Sequence, residues 1–226
     1  MTFFKKKTTK NFIFYFPEHE ASSISSISSI LEDNYKRITG DLNPDGMPKI
    51  KIRVYPSVEE FHKGINAPNA PPWAVGTVWM ADEIRMLSPN NPGEMHTPKS
   101  IIQVSVHEFT HCVVFHINPQ LKFTCTWLSE SIALYEAGQF RNPCAIPDMK
   151  KGNYPSLAEL NMNMQNKKVY AVGYTIIEYI KSKWGMNSVR ELIKANGNLK
   201  LVLGIDDERF EKNWYRYVCE KYLKYH

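Results

Sequence analysis

Residues 107 to 111 read His-Glu-Phe-Thr-His, and these are the side chains in the chain most able to do chemistry. On a helix, positions i and i+4 stack on one face, so His107 and His111 can aim two imidazoles at a single ion. Nitrogen donors of that kind suit Zn²⁺. Glu108 follows His107 directly and faces the same cleft without joining the ligand set. There it can act as the general base toward a water activated by zinc and Glu108 together. A shuffled chain of this composition would contain the pattern about 0.015 times, so the pentapeptide is read as a site and not as two surface histidines. On a strand the two histidines would stand about 13 Å apart, too far for one ion. Helix and metal stand or fall together.

A catalytic zinc takes three protein ligands and leaves one position open. Nineteen residues after His111 comes Glu130, inside Trp127-Leu128-Ser129-Glu130-Ser131-Ile132-Ala133-Leu134-Tyr135. This arrangement resembles the gluzincin zinc metallopeptidases, and in particular the aminopeptidase-N-like branch with its W-L-x-E-G-x-A-x-Y pattern. Trp127, Leu128, Glu130, Ala133 and Tyr135 match it, and Ser131 stands where Gly is usual. The resemblance implies one Zn²⁺ per chain held by His107, His111 and Glu130, with Glu108 as catalytic base. Val169 to Tyr179 resembles the Y-x-x-G helix start of the same group. It implies Tyr170 as catalytic donor to the oxyanion, with Tyr174 as runner-up. The same group places a sheet-edge strand before the active-site helix, which here falls on Ile84 to Leu87. A metzincin would need His at position 117, which is Ile. Gly93-Glu94-Met95-His96 is not the amine-holding G-x-M-E-N motif, so an endopeptidase or narrow processing peptidase is expected in place of an aminopeptidase. The histidines also need an acceptor for their far nitrogens, with Glu136 or backbone carbonyls as candidates.

Several elements must hold these residues. Asn11 to Phe16 reads as a strand, and Glu18 to Ile38 as a long amphipathic helix closed by Gly40. Its Ser-Ser-Ile repeats build an apolar stripe. Lys49 to Tyr55 alternates as a second strand, and Ser57 with Glu60 forms a capping box for a short helix. After a proline-rich loop come strands at Ala74 to Met80 and Glu83 to Leu87. Thr97-Pro98 starts the histidine helix, which Asn118-Pro119 stops. Past a loop at Gly138 to Pro147 the remainder is mostly helical. The expected fold class is α+β, gluzincin-like: a single domain, 1–226, with a mixed sheet and active-site helix in an N-terminal lobe (about 1–118) and a helical C-terminal lobe (about 119–226).

Composition sets the bounds. The chain has 226 residues, 43% hydrophobic and 23% charged, ordinary for a globular protein. No run reaches the 18 apolar residues of a membrane span, and Phe12 to Phe16 is too short for a signal-peptide core, so a cytoplasmic location is expected. Lys5 to Lys7 with Lys10 read as a frayed, solvated end. The four cysteines include no C-x-x-C pair and have no secretory context, and they read as buried, reduced thiols. The net charge of +5 is modest. The basic-aromatic run near Trp214 fits a core helix face, and no nucleic-acid partner is expected. The partner is a peptide or protein substrate, and oligomeric state is not encoded in any motif. The alternative function is a catalytically silent peptidase-like binding or sensor module, which would have no need of Glu108.

Overall fold

The computed structural model describes residues 4–161 and 168–223, and the chain divides into two compact units, Met1–His116 and Ile117–His226. It is an α+β protein. The first unit is built on a five-stranded mixed sheet of order β1-β2-β3-β5-β4, where β1 is Phe4–Thr8, β2 Phe12–Pro17, β3 Ile50–Tyr55, β4 Gly76–Met80 and β5 Glu83–Leu87. Strands β2, β3 and β5 run parallel, while β1 and β4 pair antiparallel at the two ends. Side chains alternate across each strand, and one face supplies the core: Phe12, Phe14, Ile50, Ile52, Val54, Ile84 and Met86 are fully buried.

Helix α1 (Ala21–Leu42) follows a 3₁₀ turn at Glu18–Glu20 and lays Ile24, Ile27, Leu31, Ile38 and Leu42 into that core. The buried carboxylate of Glu20 accepts from Asn90 Nδ2 at 2.8 Å and from the Ser88 hydroxyl, tying the start of α1 to the loop after β5. Helix α2 (Val58–Gly64) is capped as expected, the Ser57 hydroxyl accepting from Glu60 N at 3.2 Å. Helix α3 (Pro98–Ile117) carries the histidines, and its first turn is closed by Thr97 and Ser100, each bonding the other's backbone N–H.

Three expectations are corrected. Lys5 to Lys7 are not a frayed end but the middle of β1, registered against Phe16, Tyr15 and Phe14 of β2. Three consecutive lysines give no apolar alternation to read, and the pairing with β2 supplies what the local sequence lacks. Gly40 does not close α1: the helix runs on to Leu42, and Asn43 takes the left-handed turn at φ 53°, its N–H bonding Thr39 O. Ile84 to Leu87 is not the sheet edge, because β5 sits between β3 and β4. The edge strand on that side is β4. Its ladder with β5 is regular from Gly76 to Val78 and then breaks in a bulge between Val78 and Met80.

The second unit is helical. Helices α4 (Leu121–Thr124) and α5 (Thr126–Glu136) come first, then the short α6 (Pro147–Lys150) and α7 (Leu157–Asn161). The long α8 (Lys168–Trp184), α9 (Met186–Lys194), α10 (Leu199–Leu203) and α11 (Asp207–Val218) complete it. Asn161 Oδ1 accepts from Trp127 N at 3.0 Å and so caps α5 from a neighbouring helix. Helices α5 and α8 approach at Gly173, where a Cβ would fall 2.8 Å from Ser131 Oγ and 2.9 Å from Leu134 Cδ1. Phe210, Trp214 and Val218 of α11 are fully buried, and Trp214 Nε1 donates to Thr175 Oγ1 of α8 at 3.1 Å.

Candidate metal centre

The rotation of α3 is fixed by the residue between its two histidines. Phe109 is fully buried and packs on Phe12 of β2 and Tyr35 of α1, with ring centroids 5.2 and 5.5 Å away. At about 100° per residue, His107 and His111 each lie some 160° from Phe109. Anchoring the aromatic in the sheet core therefore turns both imidazoles to the opposite side of the helix. Residues 105 to 115 are all buried, the polar Ser105, His107, Glu108, Thr110 and His111 among them.

His107 and His111 are 7% and 6% exposed, and their Nε2 atoms lie 3.1 Å apart. Two nitrogens bound to a tetrahedral zinc at about 2.0–2.1 Å would be about 3.3 Å apart, so the pair already has the spacing of shared coordination. The His111 ring is held flat against Phe115, 10° from parallel at 5.3 Å. Helix α5 of the second unit carries Glu130 half-buried, with Ser129 and Ser131 buried on either side of it. His107 and His111 supply two imidazole nitrogens from the first unit, and Glu130 a carboxylate from the second. Two imidazole nitrogens and a carboxylate oxygen are a donor set that fits zinc.

Glu108 is 8% exposed. Its carboxylate rests against the edge strand: a Cβ on Gly76 of β4 would lie 3.2 Å from both Cγ and Oε1 of Glu108 and 2.5 Å from Val104 Cγ1. Val104 and Glu108 are one helical turn apart, so one stripe of α3 meets the backbone of β4 while the neighbouring stripe carries the histidines. Gly76 was not singled out from the sequence. The available signal was a glycine inside a strand pattern, which marks close backbone approach.

The loop before β4 is clasped by two other histidines. His62 Nε2 bonds Ala74 O at 3.1 Å, and His96 Nε2 bonds Trp73 O at 3.0 Å. They fix the chain where it enters Val75 and Gly76, and nothing in the sequence marked them for that role.

Tyr170 lies half-buried near the start of α8. Tyr174, one turn on, is packed between Tyr135 and Phe140, with centroids 5.1 and 5.2 Å away, and burial pushes its phenol above the usual tyrosine range. The two candidates thus differ: Tyr174 is a member of an aromatic cluster within the second unit. Glu136 is buried at the end of α5. Comparison of the chain with protein-family models and with curated proteins gives no match.

Proposed function

We propose that this chain is a zinc-dependent peptidase of gluzincin type, cutting peptide bonds within a chain or at a narrow processing site. The observation that carries the proposal is the buried turn of α3, with two histidine nitrogens 3.1 Å apart and the Glu108 carboxylate held against the edge strand. His107, His111 and Glu130 would hold the ion, which when bound supplies a Lewis acid that polarises a carbonyl and acidifies water. Glu108 takes a proton from the attacking water and returns it to the leaving amine. Tyr170 donates its hydroxyl to the oxygen that gains charge in the transition state. A peptide fits the edge: the outer side of β4 has no strand partner among the described residues, and an extended segment can add there by backbone hydrogen bonds.

The test is metal content followed by digestion of a peptide library. Elemental analysis of dialysed protein is expected to find about one zinc per chain. The loaded protein is expected to cut peptides, and a chelator to stop it. A protein that takes up no zinc when zinc is plentiful overturns the reading at its base. Zinc without cleavage of any peptide would leave a binding or sensor module.

A further inference from the structure

We infer that Gly76 is a positioning residue for the base, its missing side chain being the space in which the Glu108 carboxylate is held beside the substrate edge. The inference rests on the reading of Glu108 as the base. A methyl at position 76 would meet Val104 Cγ1 at 2.5 Å, which no packed carbon tolerates, and Glu108 Cγ and Oε1 at 3.2 Å. Position 76 is half-buried in the first residue of an edge strand, where φ is not in the left-handed region, so the backbone itself does not demand glycine. Strand propensity argues against it too, since glycine is depleted in strands. What remains is the close approach.

The approach has a consequence for chemistry. Gly76 pairs with Met86 and opens the three residues of β4 whose ladder is regular, Gly76 to Val78. An extended peptide added to the outer side of β4 would therefore begin its pairing at the residue against which Glu108 rests. Base and substrate backbone are referenced to the same atom group. The clasp of His62 and His96 on the carbonyls of Ala74 and Trp73 holds that group in place from the preceding loop. A side chain at 76 can be accommodated by moving β4 off α3 or by swinging the carboxylate away. Either one breaks the register between base and scissile bond, where a displacement of about 1 Å costs on the order of 10² in rate.

The test separates positioning from packing. Gly76→Ala is expected to keep its zinc, to lower Tm, and to lower kcat by about 10–100-fold with a much smaller change in KM. Val104→Ala alone is expected to stay close to wild type in kcat. In the Gly76→Ala/Val104→Ala double variant the 2.5 Å clash is gone while the 3.2 Å contacts with Glu108 remain. Tm is expected to recover and kcat is not. A second readout needs no turnover: in the metal-free protein, Glu108→Gln is expected to shift the Gly76 amide resonance and leave that of Phe14, across the sheet, in place. If kcat recovers together with Tm in the double variant, or Gly76→Ala has wild-type kcat, the glycine only makes room for Val104 and the inference is overturned. If the zinc-loaded wild type cuts no peptide, the peptidase reading falls with it. An active wild type with an unmoved Gly76 resonance removes this inference alone.

Discussion

At the scale of single residues, ligand and base should separate cleanly. Glu108→Gln is expected to retain zinc and lose hydrolysis, because an amide cannot accept the water's proton. Glu130→Ala is expected to lose zinc affinity as well. Equal metal content in the two proteins would dissolve that division of roles. Tyr170→Phe removes a donor and keeps the ring, so kcat should fall by roughly 10²–10³ with fold and zinc unchanged. Tyr174→Phe should be nearly silent in kcat, since its ring is engaged with Tyr135 and Phe140. The reverse result would shift the donor by one helical turn. The thiols give a pH prediction. Burial pushes the Cys125 thiol up to about 12, so its thiolate is scarce at any pH the fold tolerates. Iodoacetamide at pH 9 should label half-buried Cys144 and Cys219 and spare Cys125, as read by peptide mass spectrometry. The candidate ligands could be picked out from the sequence because metal binding restricts both residue type and spacing. Gly76, His62 and His96 were not, since each acts through a contact between elements far apart in sequence, and nothing local distinguishes such a glycine or histidine from any other.

Elements were legible where one periodicity dominated. Helix α1 announced itself through the stripe of Ile24, Ile27 and Leu31, and β3 through Ile50, Ile52 and Val54. Element ends and sheet order were harder. Gly40 lies within the helix at a place where a side chain would meet nothing within 4 Å, and the left-handed turn that ends α1 is taken by Asn43, three residues later. The order of β4 and β5 depends on which of two adjacent strands pairs with β3, a tertiary choice that alternation cannot encode. The contact of α5 with α8 offers a test at this scale. Ser131 occupies a place where the related pattern has glycine, and Gly173 opposite it leaves the room. Gly173→Ala should cost about 1–3 kcal/mol in urea titration, the usual penalty for overpacking. Ser131→Gly should recover part of that and not all, because Leu134 Cδ1 and Ser131 Cα stay within 2.9 and 3.1 Å of the added methyl. Full recovery would show that the hydroxyl alone sets the spacing.

For the whole molecule, a bound ion should appear as stability. An ion that binds only the folded chain adds about 2.7 kcal/mol when its free concentration is 100 times Kd. For a chain of this size that corresponds to an apparent Tm about 5–10 °C higher. Scanning calorimetry with zinc and with chelator checks it, and His107→Ala should remove the difference. Among the described residues no helix is long and apolar enough to cross a membrane. The ends of the sheet have a further consequence, for handling at high concentration. Open strand edges template pairing with other copies, and proteins guard them with charge or with irregular backbone. One end of this sheet is β1, whose Lys5 and Lys6 are exposed, and the other is β4, whose ladder breaks after Val78. A stretch of about three regular residues is shorter than the six- or seven-residue segments that seed fibrils. Replacing Lys5 and Lys6 by Val should therefore bring turbidity on concentration, followed by light scattering, from the β1 end of the sheet.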